Sequence, residues 1–138
     1  EFELQASAGR FLTVFVSSDP GATTTVQTEN DLRPIVGGAK LSVYNGSNLF
    51  QLVDVFVVAP GTDISNEDAS FAAATTGVGI ANSVFAAGTY ELTVQDTLNR
   101  TILAGPTTIT LNDSGYYGLL ISDNVGGSTV DITQFDDF

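Results

Sequence analysis

The 138-residue sequence contains no cysteine, histidine, methionine or tryptophan. Without cysteine and histidine, the chain has no thiol nucleophile, no Ser-His-Asp triad and none of the usual nitrogen and sulfur ligands of zinc or haem iron. Only four cationic side chains stand against 16 acidic ones, so the formal net charge is −12. Binding to nucleic acid or to anionic lipid needs a basic surface. We therefore expect neither kind of partner.

Long hydrophobic runs are also missing. No apolar stretch approaches the ~18 residues that a membrane-spanning helix requires, so we expect no membrane insertion of this segment. The length corresponds to one domain of about 100–200 residues, or to one domain plus a fragment.

The residues that are abundant favour β-structure. The sequence has 17 threonines, 11 serines and 14 glycines, and valine, isoleucine and phenylalanine are frequent. Alternating apolar and polar residues recur in short runs that end at Gly, Pro, Asn or Asp, as in Leu52–Val58 before Pro60 and Gly61. Towards the end of the chain, Thr101–Ala104 and Thr107–Leu111 are predicted as two separate short strands. Seven or eight such strands predict an all-β sandwich.

One segment departs from this pattern. In Ser65–Ala74 a capping residue is followed by acidic residues, which is typical of a helix start. We expect at most two helical turns there, or an irregular crossover. The Ala- and Gly-rich stretch Phe71–Phe85 is predicted to add one more weak strand.

An internal similarity indicates how the chain is organised. Residues 2–18 and 109–122 each have a short strand, a small polar loop ending in glycine (Gly9 and Gly115), and an apolar strand. We interpret residues 1–36 as the last strands of a preceding repeat, or as donated or extra strands, and residues 37–138 as a complete domain. Chance similarity between two β-hairpins is the alternative.

The N-terminal strands carry an apolar face that needs a partner, because an isolated hairpin is marginally stable in water. We expect this face to pack on the main domain or on another molecule, with other copies of the chain or neighbouring repeats as partners. The residues predicted to form this assembly surface are Phe11, Val14, Phe15, Val16 and Val26.

Four segments resemble a known bacterial family. They read AKLSVYNGS (39–47), VDVFVVAPGTDI (53–64), FAAGTYELTVQD (85–96) and ILAGPTTITLNDSGYYGLLISD (102–123). Residues 39–138 are similar to the immunoglobulin-like family of unknown function numbered 4397, which occurs in secreted and cell-surface proteins, often in tandem. The resemblance implies an immunoglobulin-like antiparallel β-sandwich of about seven strands, located extracellularly or at the cell surface, with the periplasm as an alternative. It implies no catalytic residues.

Acidic residues are the first candidates for a binding site. Asp63, Glu67 and Asp68 cluster after a predicted strand and could contribute oxygen ligands to calcium, which takes six to eight of them. The alternative is that they favour the start of a helix. A terminal calcium site formed by Asp131, Asp136 and Asp137 is equally speculative, because a solvated acidic end explains these residues.

Asp54 lies between two valines of a predicted strand. Its side chain should face solvent or cap a neighbouring loop. A catalytic carboxylate would need a partner at about 5–10 Å, and no residue pattern identifies one.

The aromatic and amide residues suggest two further sites. Four tyrosines could form a platform on which sugars stack: Tyr44, Tyr90, Tyr116 and Tyr117. Tyrosines at strand starts more often contribute to core packing. Three glycosylation sequons lie in predicted turns, at Asn45, Asn99 and Asn112.

Taken together, the residues favour a non-catalytic structural or adhesion module that needs no cofactor and binds a surface glycan or protein ligand. The alternative is a self-assembling fibre or pilus-like subunit whose N-terminal strands complete or augment a neighbour's sheet. A glycan-binding or calcium-binding module is a more remote alternative.

Overall fold

A computed structural model of the protein describes residues 8, 11–19, 22–31, 33–75 and 80–136. Within these residues the chain forms ten β-strands and one short 3-10 helix. The strands are β1 (Phe11–Asp19), β2 (Ala22–Asn30), β3 (Gly38–Asn45), β4 (Leu52–Val58), β5 (Phe71–Thr75), β6 (Ile80–Ala86), β7 (Gly88–Asp96), β8 (Ile102–Leu111), β9 (Tyr116–Asp123) and β10 (Val130–Asp136).

Eight of the strands form two four-stranded sheets. Sheet 1 has the order β10-β9-β3-β6, and sheet 2 has the order β5-β4-β7-β8. Their facing sides share one apolar core, so the predicted all-β sandwich is confirmed. Strand β3 runs parallel to β9, whereas the other pairings in the two sheets are antiparallel.

The core follows directly from the alternation in the sequence. In β3, Leu41 and Val43 point inwards and are buried, and in β4, Val53 and Val55 do the same. Asp54 lies between these two valines on the opposite face and is half-buried. Burying each large side chain contributes about 1.5–3 kcal/mol, so the packing of the two sheets is the main source of stability.

The segment after β4 contains less helix and more strand than the sequence suggests. The 3-10 helix covers only Ile64–Asn66, and β5 begins at Phe71. Phe71 is buried and pairs with Val55, so burial of its ring in the core outweighs the local helix signal. The stretch Phe71–Phe85 holds two strands, β5 and β6, rather than one.

The two short strands predicted around Pro106 are in fact one strand, β8. It lies at the edge of sheet 2, and its pairing with β7 shifts register near Leu92 and Val94. Proline cannot donate to a sheet, but an edge strand with an irregular register tolerates it because some of its N–H groups need no strand partner.

Strands β1 and β2 form a two-stranded sheet of their own. Their register runs without interruption from Phe11 opposite Asn30 to Asp19 opposite Ala22. Neither strand pairs with a strand of sheets 1 and 2. The division into residues 1–36 and 37–138 as a repeat end and a complete domain stays a prediction. None of the described residues belongs to a helix long and apolar enough to cross a membrane.

Candidate functional site

Several carboxylates lie beside turns and accept hydrogen bonds from those turns. Asp96 ends β7 and accepts hydrogen bonds from Leu98 N at 2.9 Å and from Asn99 Nδ2 at 2.8 Å. Asp63 accepts from Ser65 N at 3.0 Å, and this backbone hydrogen bond lowers the pKa of the Asp63 carboxyl. Aspartate is favoured at such positions because its short side chain reaches the N–H group two residues ahead.

The most extensive of these contacts belongs to Asp123, at the end of β9. Its carboxylate accepts hydrogen bonds from the Ser47 hydroxyl and from Asn48 N, the latter at 2.9 Å. Ser47 is fully buried, and its Oγ also accepts from Phe50 N at 2.8 Å. Asn45 accepts from Ser47 N at 3.0 Å. Asp123 therefore fixes the β3–β4 loop to the neighbouring strand from about 75 residues away in sequence.

Two more carboxylates accept hydrogen bonds from glycine residues in turns. Asp113 accepts from Gly37 N at 2.6 Å, and Glu91 accepts from Gly61 N at 3.0 Å. Both glycines have φ near +80°, a conformation that residues with a side chain adopt only with strain. In each case an acidic residue that is distant in sequence accepts a hydrogen bond from a turn that glycine makes possible.

Asp31 connects the end of β2 with the sandwich. It accepts hydrogen bonds from Arg33 Nε at 2.8 Å and Nη2 at 2.7 Å, and Lys40 Nζ lies 3.3 Å from its Oδ2. The hydrogen bonds from Arg33 hold the pKa of the Asp31 carboxyl well below its usual range. Because Asp31 and Arg33 are exposed to solvent, their ion pair orients the segment between β2 and β3 but contributes little to stability.

The three calcium candidates have separate surroundings. Asp63 caps the 3-10 helix, and Glu67 and Asp68 are exposed in the loop that follows. Among the described residues, no group of three or more acidic side chains is placed to hold a metal ion. Calcium binding by Asp63, Glu67 and Asp68 stays a prediction. Of the terminal acids, Asp137 lies outside the described residues.

The tyrosines do not form a common exposed platform. The rings of Tyr44, Tyr116 and Tyr117 are buried. Tyr117 Oη accepts a hydrogen bond from Asn112 N at 2.9 Å. Tyr116 shares one with Ser42 on the outer face of sheet 1, at 3.0 Å. Tyr90 is partly buried and donates to Ala86 O at 2.7 Å.

The three sequon asparagines differ in accessibility. The Asn45 side chain is buried and donates to Phe50 O at 2.9 Å. Asn99 is exposed, but its amide donates to Asp96. Asn112 is exposed at the end of β8.

The predicted assembly surface is described only in part. In β1, Val14 is half-buried and Val16 is 56% exposed. The side chains of Phe11, Phe15 and Val26 lie outside the described part of the structure. Val16 is thus an exposed large apolar residue on a strand that has β2 as its sole strand partner within the described residues.

A groove that sequence reasoning missed lies between the edge strands β8 and β10. It has a volume of about 270 Å³. Its lining includes the buried core residues Leu92, Leu119 and Val130, and the exposed Thr108 and Gln134. No local pattern in the sequence could identify it, because the groove exists only where the two sheets meet.

The two strands beside the groove both lie at the edge of a sheet, but the regularity of their pairing differs. β8 contains Pro106 and register shifts, which are common ways of protecting a sheet edge. β10 contains no proline, glycine or lysine, and its pairing with β9 is regular from Val130 to Asp136. Among the strands that the structure describes, β10 thus forms the more regular of these two sheet edges.

Comparison with known proteins provides little further information. No family model matches the chain. No curated protein matches it either. Among solved structures, the C-terminal domain of AlgF from P. aeruginosa is similar, with a TM-score of 0.49 and 12% sequence identity over 72% of this chain and 98% of that domain. A likeness of this size carries no argument about function.

Proposed function

We propose that this chain is a non-catalytic structural or adhesion module of a bacterial secreted or cell-surface protein. One observation carries the proposal: five carboxylates accept hydrogen bonds from backbone N–H groups in loops of the sandwich itself. They are Asp63, Glu91, Asp96, Asp113 and Asp123.

The chemistry of two carboxylates, Asp31 and Asp63, supports a structural role. A carboxylate that accepts backbone N–H bonds is stabilised in its charged form. A general acid needs the opposite, a pKa raised towards the working pH. Asp31 and Asp63 both have lowered pKa values, for reasons that lie in the folding of their own loops.

The proposed location outside the cytoplasm has separate support. The residue patterns in 39–123 resemble those of the extracellular family 4397. A strongly acidic surface keeps a module soluble and discourages non-specific contact with nucleic acid. The proposed ligands are a surface glycan or another protein.

A panel of polysaccharides and cell-surface extracts tests this proposal. The purified chain should bind without converting any of them. The Asp54→Asn and Asp123→Asn variants should likewise form no product. Turnover that disappears on replacing one carboxylate would overturn the non-catalytic assignment.

A second candidate function is self-assembly through the N-terminal strands. The observation that favours it is that β1 and β2 form a sheet separate from sheets 1 and 2. A two-stranded sheet needs additional packing, and a second copy of the chain can provide it.

A further inference from the structure

We propose that the sandwich associates head to tail, with Val36 of one copy seated in an apolar cavity at the opposite end of a second copy. Strands β3, β7 and β9 lead into the loops of the apolar end, which are residues 46–51, 97–101 and 124–129. The acidic end is formed by residues 33–37 before β3 and by residues 59–70 and 112–115 after β4 and β8. The contact uses neither β1 nor β2, so it goes beyond both functions proposed above.

The apolar end contains a cavity of about 240 Å³. Its apolar lining comes from Leu49, Phe50, Leu52 and Leu98. Leu98 is 78% exposed, and Val125 in the neighbouring loop is fully exposed. Exposed apolar side chains that gather in one place, rather than lying singly, mark an interaction surface.

The walls of this cavity are held in place by the sandwich. Asp123 accepts a hydrogen bond from Asn48 N at 2.9 Å, and Asp96 accepts one from Leu98 N at 2.9 Å. Both loops are thus fixed before a partner arrives. Binding to such a surface costs less conformational entropy than binding to a surface that must first become ordered.

Val36 is suited to this cavity. It lies in the turn before β3 and is 91% exposed. Its turn is also fixed, because Gly37 N donates to Asp113 at 2.6 Å. Seating this aliphatic side chain against the leucines of a second copy would remove both surfaces from water.

Charge determines which ends meet. The three loops of the apolar end contain no acidic residue, and Arg100 in one of them is exposed. The acidic end exposes four carboxylates, whereas its Arg33 already pairs with Asp31. The four are Asp63, Glu67, Asp68 and Asp113. Contact between two acidic ends is repulsive, and contact between two apolar ends places Arg100 near Arg100. The head-to-tail arrangement brings opposite charges together.

Association through two different surfaces has a consequence for size. A contact between identical patches closes as a dimer, whereas a head-to-tail contact continues into a chain or a ring. Each added copy presents a new cavity or a new Val36. The assembly should therefore grow beyond two copies as the concentration rises.

Sedimentation velocity of the complete chain, up to millimolar concentration, tests the inference. The wild type should form species larger than a dimer. Val36→Asp and Leu98→Asp should each raise the dissociation constant at least about tenfold. Arg100→Glu should raise it about tenfold, because it places an acid against the acidic end. Thr133→Asp is the matched control, since it adds the same charge at an exposed position in the middle of β10, and it should associate like the wild type.

A mixture of the two blocked variants is the decisive measurement. Val36→Asp keeps an intact cavity and Leu98→Asp keeps an intact Val36, so an equimolar mixture should form a one-to-one dimer that grows no further. Both side chains are exposed, so urea unfolding of each variant should match the wild type. If either aspartate variant unfolds more readily, Val36→Ser and Leu98→Ser should give the same pattern of association.

The other outcomes overturn the inference in different ways. A chain that stays monomeric at millimolar concentration would overturn it and leave the module proposal standing. Association that Val36→Asp and Leu98→Asp both retain would place the contact elsewhere, as the self-assembly candidate expects. A wild type that stops at a dimer, with no dimer in the mixture of variants, would show that identical ends meet.

Discussion

The sandwich of β3–β10 and the hairpin of β1 and β2 are both built from short alternating strands, yet their packing differs. In the sandwich, two four-stranded sheets bury a shared core. In the hairpin, β1 and β2 pair with each other and with no other strand that the structure describes, and Val16 remains 56% exposed. Strand propensity is thus enough for pairing, whereas stability requires a second layer.

The largest expected effect is in the core of the sandwich. Leu41→Ala removes most of a fully buried side chain and should lower the free energy of unfolding by about 2–5 kcal/mol. Val16→Ala in the hairpin, measured on the dilute chain, should cost less than about 1 kcal/mol because half of that side chain is already exposed. Urea unfolding measures both. Equal losses would show that the hairpin is as firmly packed as the sandwich.

The next effect concerns the loop that Asp123 secures. Asp123→Ala leaves the buried Ser47 hydroxyl and the Asn48 N–H without this acceptor, which should cost about 1–3 kcal/mol. Asp131→Ala is a matched control, since Asp131 is exposed and accepts only from Asn124 among the contacts described. It should change stability by less than about 0.5 kcal/mol. Thermal unfolding distinguishes the two, and similar changes would contradict a special role for Asp123.

A smaller effect is expected where Phe135 lies over Gly118 on the outer face of sheet 1. A Cβ at residue 118 would collide with the Phe135 ring, which stacks on Tyr44 at 6.0 Å. Gly118→Ala should lower the free energy of unfolding by about 1 kcal/mol, because the end of the ring can move aside. In the background Phe135→Leu, the same change should cost less. Equal costs in the two backgrounds would show that the ring is not the obstacle.

The smallest effect lies at the junction between hairpin and sandwich. Arg33→Ala should raise the pKa of Asp31 towards its ordinary value and leave that of Asp63 unchanged, as measured by NMR titration of the carboxyl carbons. Since the folded pKa of Asp31 is depressed, its contribution to stability is present above the unfolded pKa of about 3.9 and is lost as pH falls through the folded pKa. An Asp31 pKa that does not move would exclude Arg33 as the cause.

The inward-facing residues of the sandwich follow the alternation in the sequence. Leu41, Val43, Val53 and Val55 follow a period of two, which specifies a face directly. The sequence was less informative at Phe71, where a local helix signal competed with burial of an aromatic ring. It also divided β8 at Pro106, because the sequence does not show that this strand lies at an edge.

The candidate sites were less predictable than the fold. The acidic residues were visible, but their partners lie far away in sequence, as Asp123 lies from Asn48 and Glu91 lies from Gly61. Long-range contacts of this kind leave no local signature. The groove between β8 and β10 is likewise a product of sheet order.

The sequence by itself determined that this protein is all-β, acidic and without thiol or imidazole chemistry, since composition and a period of two are properties of the chain alone. Tertiary structure decided which of the described strands lie at sheet edges and which carboxylates hold loops in place. These features depend on which segments meet after folding, and the chain specifies them only through the packing of the two sheets.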